Sequence, residues 1–143
     1  MLCHHSVQGN RPYSWNQLRG PNGSGFLKDS RPPIKIEKHI AWKTAIPPGL
    51  SSPALSEKKI FLTAIDKGRL VTLALDKATG KIVWSQKAPE VPIEKFHKAS
   101  SPATPTPYVD KDRLFVYFGS YGLLCYDHEG KELWKKPIPT PKS

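Results

Sequence analysis

The stretch ALDKATGKIVW, residues 74–84, decides the fold of this chain, because it reads as two short strands joined by a tight turn. Gly80 takes the last turn position, where a positive φ costs a glycine nothing. Asp76 and Thr79 carry oxygens that can accept hydrogen bonds from turn amides. Trp84 follows on the second strand, where its apolar ring can be buried against a neighbouring sheet. The stretch predicts a β-hairpin with a packing tryptophan.

A second, poorer copy of this hairpin, CYDHEGKELW, occupies residues 125–134. It repeats the aspartate, glycine and tryptophan of the first copy 51, 50 and 50 residues later, at Asp127, Gly130 and Trp134. An earlier tryptophan, Trp42, precedes that of the first hairpin by 42 residues. Periods of about 40–50 residues, each with about four short strands, are typical of β-propeller blades.

The rest of the chain also favours β-structure. Fifteen prolines and ten glycines leave little room for long helices. Short β-rich runs between turn residues predict an all-β fold of propeller blades, about two four-stranded antiparallel blades in this chain. The predicted strands are Ile40–Ile46, Lys59–Ile65, Arg69–Leu75, Lys81–Gln86, Arg113–Gly119, Leu123–Asp127 and Lys131–Lys136.

Two of these strands are apolar on both faces. RLVTLAL, residues 69–75, and RLFVYF, residues 113–118, lack the alternation of polar and apolar residues that a strand with one wet face shows. Both therefore need cover on two sides. In an all-β chain this predicts sheets stacked face to face.

Composition narrows the class of protein. The 143 residues suit one ordinary domain, and Cys3 and Cys125 are too few and too far apart for a disulfide framework. The net charge of +10 is spread along the chain, which indicates a solvated basic surface and no nucleic-acid partner. The longest apolar run, residues 114–126, is too short to span a membrane as a helix. Residues 1–15 hold no apolar segment of signal-peptide length.

The first hairpin carries a family resemblance. Its pattern, alanine-x-aspartate-x-x-threonine-glycine-x-x-x-tryptophan, resembles the tryptophan-docking motif of the quinoprotein-like propellers, the PQQ-repeat family. The lead-in WNQLRGPNGSG, residues 15–25, is similar to the N-terminal segment of PQQ-binding-like repeat proteins of secreted type. The second copy departs from the pattern, since Cys125 replaces the alanine and Glu129 the threonine. The resemblance implies structural docking roles for Ala74, Asp76, Thr79, Gly80, Trp84, Asp127, Gly130, Trp134 and Trp42.

The resemblance also implies a propeller of about six to eight blades. We therefore expect this chain to be an N-terminal fragment of a larger propeller. Its expected parts are a loop-rich lead-in at 1–33, a first blade region at 34–88, a proline-rich connection at 89–107 and a second blade region at 108–143. Trp15 in the lead-in is expected to fill a rim or a groove between blades. Two blades alone would expose sheet faces and edges, so we expect the fragment to aggregate or oligomerise.

Three other groups of residues suggest a metal, phosphate or catalytic site, and each has a simpler explanation. The first group is Cys3, His4 and His5, which are types of residue that bind metals. Adjacent ligands without further ligands at a suitable spacing rarely form a tetrahedral metal site. GPNGSG, residues 20–25, follows no predicted strand and opens no helix, so it predicts a turn and not a phosphate loop. The third group is His97, Ser100, Ser101 and Asp110. These residue types suggest a Ser-His-Asp triad, but the sequence around the serines lacks the G-x-S-x-G motif of a nucleophile elbow. We predict no catalytic and no metal-binding residue in this chain.

Two classes of function stay open, and we favour the first. It is a non-catalytic propeller acting as a binding or assembly scaffold, similar to outer-membrane-protein-assembly propellers. The alternative is a quinoprotein dehydrogenase that oxidises alcohols or sugars with pyrroloquinoline quinone (PQQ) and Ca²⁺, its active site lying in other blades. The residues themselves assign no cofactor, and PQQ and Ca²⁺ follow from the resemblance alone. The resemblance further implies a periplasmic or secreted location and, as partner, another protein or the remaining blades.

Overall fold

The computed structural model describes residues 15–27, 30–93, 95–97 and 99–138. Eight strands form two four-stranded sheets, in which each strand pairs antiparallel with the next along the chain. The first sheet consists of β1 (Ala54–Leu55), β2 (Lys59–Asp66), β3 (Arg69–Asp76) and β4 (Ile82–Lys87). The second consists of β5 (Tyr108–Val109), β6 (Arg113–Phe118), β7 (Gly122–Asp127) and β8 (Glu132–Pro137). A short 3₁₀ turn, Pro21–Gly23, precedes them.

The prediction of an all-β chain is confirmed. Six of the seven predicted strands lie within one residue of the observed ones at each end. The predicted strand Ile40–Ile46 is wrong, because this segment pairs with no strand in the described part of the chain. A β-strand is defined by hydrogen bonds to a neighbouring strand, and an apolar sequence pattern does not show whether such a neighbour is present. The two-residue strands β1 and β5 escaped prediction because they are too short to show a period.

The two sheets repeat each other row by row. One row of the first sheet holds, on neighbouring strands, Phe61, Ala74 and Trp84. The corresponding row of the second sheet holds Phe115, Cys125 and Trp134. Each sheet has a register shift directly after the middle residue of this row. The sequence repeat is therefore a repeat of sheet geometry.

The main hydrophobic core lies between the two sheets. It combines side chains of the first sheet with side chains of the second, among them Phe61, Leu70, Ala74, Leu114, Val116, Phe118, Leu124 and Tyr126. The opposite face of the first sheet holds a smaller buried cluster of Ala64, Val71, Leu73 and Leu75. Six consecutive residues of β3 are buried, so this strand is covered on both faces. The predicted face-to-face stacking of sheets is confirmed.

Tyr126 makes the stability of this core depend on pH. Its side chain is buried, and its hydroxyl lies near the buried hydroxyl of Thr72. Burial, helped by the nearby Glu132 carboxylate, raises the pKa of the Tyr126 phenol from 10.0 to about 12. The unfolded chain therefore releases this proton at a lower pH than the folded chain. The stabilisation is complete below about pH 10 and is lost as the pH rises toward 12.

Alkaline titration of a tyrosine-to-phenylalanine variant tests this dependence. Between pH 9 and pH 11.5 we expect the unfolding free energy of the protein to fall by about 2 kcal/mol more than that of Tyr126→Phe. Urea denaturation at a series of pH values measures the difference. At pH 8 the two proteins should differ in stability by no more than about 1 kcal/mol, because the phenol is protonated in the folded and the unfolded chain. Parallel stability curves for the two proteins would contradict the assignment.

Candidate functional site at the interface between the sheets

The turn between β3 and β4 is held by the side chains that its sequence supplies. One carboxylate oxygen of Asp76 accepts hydrogen bonds from the amide and the hydroxyl of Thr79, at 2.8 and 2.7 Å. These bonds, the hydroxyl bond foremost, lower the pKa of Asp76 below its ordinary value. Gly80 closes the turn with φ +72°. The local hydrogen bonding is therefore what the residue types of the hairpin indicated.

Trp84 of β4 crosses from the first sheet to the second. Its ring lies on Gly130, where an added Cβ would stand only 2.9 Å from the indole. Its Nε1 donates to the carbonyl oxygen of His128 at 3.0 Å. The ring also contacts Phe61 of its own sheet and Tyr126 of the second, at centroid distances of 5.8 and 6.1 Å. One side chain thus fills the interface and pairs its only polar atom there.

Trp42 makes the same kind of contact with the first sheet. Its ring lies on Gly80, where an added Cβ would stand 2.3 Å from the indole, and its Nε1 donates to the carbonyl oxygen of Lys77 at 3.1 Å. Two residues on, the Thr44 hydroxyl donates to the Gly80 carbonyl at 2.7 Å. The segment that was wrongly predicted as a strand therefore still places its tryptophan on the next turn glycine.

Trp134 occupies the equivalent position in β8, but it lies on the far face of the second sheet. Its side chain is 41% exposed and contacts Phe115 at a centroid distance of 6.1 Å. Phe115 in turn contacts Tyr108 at 6.0 Å, and Tyr108 and Tyr117 are each 43% exposed. We call the surface formed by Tyr108, Phe115, Tyr117 and Trp134 the far face. Within the described residues no further sheet packs on it, whereas the second sheet packs on the corresponding face of the first.

The turn between β7 and β8 departs from the motif and is held differently. Asp127 accepts hydrogen bonds from the amides of Glu129 and Lys131, both at 2.9 Å. The Glu129 carboxylate, which stands where the first copy has threonine, forms an ion pair with Lys59 of the first sheet. Sequence reasoning missed this contact between the sheets. The replacement of threonine by glutamate was the signal, but the position of Lys59 follows only from the packing.

The three alternative groups form no site in the described residues. Cys3, His4 and His5 lie outside them. In the 20–25 loop, the amides of residues 23–25 donate to the carbonyls of residues 19–21, as expected for a turn. The hydrogen bonds of the third group are local, since His97 Nδ1, Ser101 Oγ and the Asp110 carboxylate accept from amides two or three residues away. Within the described ranges, no three His, Cys, Asp or Glu side chains come together as a metal site.

Replacing Gly130 by alanine tests the contact with Trp84. The new Cβ would meet the indole at 2.9 Å on a backbone with φ +88°, so the ring must move. Gly68→Ala is the matched control, because its φ is +75° and no atom lies within 4 Å of the new Cβ. We expect about 1 kcal/mol of destabilisation for the control and about 2–3 kcal/mol for Gly130→Ala. Equal urea midpoints for the two variants would show that Trp84 adjusts freely.

Comparison with known proteins places the chain in a family. Residues 35–143 match the sequence model of a PQQ-like repeat family described as "Outer membrane protein assembly factor BamB". This match spans most of the chain, and the chain belongs to this family. The predicted family is thereby confirmed, and the two sheets are blades of the propeller type. No curated protein sequence matches the chain.

Eleven chains of solved structures match as well. One of them is titled "Europium-containing methanol dehydrogenase" and is 26% identical, with a TM-score of 0.47. The match covers 66% of this chain and 18% of the dehydrogenase chain, so the chain spans under a fifth of that protein. No helix among the described residues has the length and apolar character needed to cross a membrane.

Proposed function

We propose that this chain is part of a larger PQQ-like propeller that acts as a non-catalytic binding or assembly scaffold. The observation that carries the proposal is the contact of Trp84 with Gly130 and the His128 carbonyl, which joins one blade to the next. The polar side chains of both hairpins bond to turn amides or across the interface. On this proposal, the nine motif residues serve to dock blades onto each other.

The far face is the proposed docking surface for a further blade of the same kind. Its row of Phe115, Cys125 and Trp134 repeats the row of Phe61, Ala74 and Trp84, which the second sheet covers. The covering blade would supply a glycine with positive φ beneath Trp134. It would also supply a carbonyl two or three residues before that glycine, because His128 and Lys77 hold these places in the two observed contacts.

The family description supports an assembly role. It names an outer membrane protein assembly factor. Carried over to this chain, it favours a protein partner and a periplasmic or secreted location. The basic surface, with 22 Lys and Arg against 12 Asp and Glu, would suit an acidic protein surface as partner.

The alternative function is a quinoprotein dehydrogenase that uses PQQ and Ca²⁺. Calcium needs six to eight oxygen ligands, largely carboxylates and carbonyls. Among the described residues, no three acidic, His or Cys side chains come together as a metal site, so on this alternative the carboxylate ligands of the calcium ion would come from other blades. No step of such a reaction is assigned to the described residues.

Adding PQQ and Ca²⁺ to the protein in its longest form separates the two functions. Tryptophan fluorescence reports binding, and dye-linked oxidation of a panel of alcohols and sugars reports turnover. We expect neither saturable quenching nor turnover. The matched control replaces Ca²⁺ by EDTA, which removes any signal that depends on a calcium-bound quinone. Saturable, calcium-dependent quenching with turnover would overturn the scaffold function in favour of the dehydrogenase.

A further inference from the structure

Residues 15–25, called here the clasp, pair with the first strand of both sheets. The Leu55 amide of β1 donates to the carbonyl oxygen of Trp15 at 2.8 Å. The Val109 amide of β5 donates to the carbonyl oxygen of Asn16 at 2.9 Å, and Asn16 Nδ2 donates back to the Val109 carbonyl at 3.2 Å. Two consecutive residues of the clasp thus bond to the edges of two different sheets.

These edges would otherwise be open to strand addition. β1 and β5 each have one ladder partner, β2 and β6 respectively. An unpaired strand edge offers amides and carbonyls to any other extended chain. In the described part of the chain, the antiparallel bridge between Trp15 and Leu55 is the one β-bridge outside the two sheets. The clasp therefore occupies the position that an added strand would take.

The clasp is held in shape by its own contacts. The Gly20 amide donates to the Gln17 carbonyl at 3.0 Å, and Gln17 Nε2 donates to the Gly20 carbonyl at 3.1 Å. The Gly25 amide donates to the Arg19 carbonyl at 2.7 Å. The Trp15 ring lies on buried Gly20, where an added Cβ would stand 2.6 Å from the indole. The loop consequently behaves as one unit, and displacing the ring displaces the backbone that bonds to both sheets.

We infer that the clasp is an intramolecular strap that covers the free edges of β1 and β5 and couples their opening. Leu55 and Val109 are protected by neighbouring residues of the same rigid loop, so their amides become exposed together when the loop lifts. This device goes beyond the proposed scaffold function and does not depend on it. A propeller of either functional class would gain the same protection of these two strand edges.

Amide hydrogen exchange of Gly20→Ala and Gly23→Ala tests the clasp. Both glycines have similar positive φ, +65° and +64°, so Gly23→Ala controls for the strain of a positive φ; Gly20 also has ψ −152°, a region that essentially only glycine adopts. An added Cβ meets the Trp15 ring at Gly20 and nothing within 4 Å at Gly23. For Gly20→Ala we expect exchange at Leu55 and Val109 to accelerate together by about tenfold, with less than about twofold for Gly23→Ala.

The amide of Thr72 in the middle of β3 is the internal reference, and its exchange should not change. If exchange of the Thr72 amide also accelerates in Gly20→Ala, that variant has lost the fold. The coupling of the two edges is then tested with Asn16→Ala. That variant removes the Nδ2 bond to Val109 and should accelerate exchange at Leu55 and Val109 together. Acceleration at Val109 alone would overturn the coupling. Equal exchange in Gly20→Ala and Gly23→Ala would overturn the clasp itself.

Discussion

Replacing Trp84 by alanine is expected to lower the free energy of unfolding by about 3 kcal/mol, near the usual cost of removing a packed tryptophan. The variant loses the ring contacts with Phe61 and Tyr126 and leaves the His128 carbonyl without its donor. Because these contacts join the sheets, both sheets should become less stable. Trp134→Ala removes the equivalent residue of the repeat, which is 41% exposed, and should cost about 1 kcal/mol or less.

Urea denaturation followed by circular dichroism measures both variants without relying on the tryptophan signal. The two residues can be compared because each is the third residue of its strand, β4 or β8. The turn before Trp134 is one residue shorter and is held by other hydrogen bonds, but the main difference between the two tryptophans is the cover by a neighbouring sheet. Similar losses for both variants would mean that Trp84 contributes through its own hairpin and not through the interface. Trp84→Phe should recover part of the loss, since it restores a ring without the Nε1 donor.

Replacing Phe61 by alanine is expected to cost about 4 kcal/mol. Phe61 is fully buried in the core between the sheets and contacts the rings of Trp84 and His128. Alanine would leave a cavity that the flanking strands cannot close, since they are fixed by their ladders. Phe115→Ala is the repeat-matched control on the far face, where solvent replaces the lost ring, and should cost about 1–2 kcal/mol.

Calorimetry and urea denaturation of the Phe61 and Phe115 variants give this difference directly. A cost below about 2 kcal/mol for Phe61→Ala would contradict a tightly packed interface. Docking of a further blade on the far face can be tested with the same variants. In a longer chain that continues with another blade, Phe115→Ala and Trp134→Ala should become as costly as Phe61→Ala and Trp84→Ala. Unchanged small costs there would argue against docking of a further blade on this face.

Local patterns predicted most of the strands because they act between residues close in the chain. The turn Asp76–Gly80 illustrates this, since its carboxylate, hydroxyl and glycine meet within five residues. The 50-residue spacing of the two hairpins predicted blades for the same reason, because each blade is one local meander. Apolar residues on both faces of β3 indicated cover on two sides, and the buried strand agrees.

Features that depend on distant partners were missed or wrongly assigned. Residues Ile40–Ile46 have a strand-like sequence but no ladder partner among the described residues, so they form no strand. The pairing of Asn16 with Val109 spans 93 residues, and nothing in the sequence of the lead-in indicated it. The Lys59–Glu129 ion pair joins residues 70 apart, so the departure of Glu129 from the motif gave no indication of which residue it would pair with.

By itself, the sequence determined the hairpins, their turns and the all-β class, because these follow from side-chain alternation and turn chemistry within short windows. The family followed from the resemblance of the first hairpin to a known motif. Only the tertiary structure decided which copy of the motif is covered. ALDKATGKIVW ends on a tryptophan whose Nε1 is bonded 44 residues away, at His128, while CYDHEGKELW ends on an exposed one. The physical reason is that the burial of a side chain depends on the surface that packs against it. A tryptophan at this strand position is buried where a second sheet packs on it and exposed where none does.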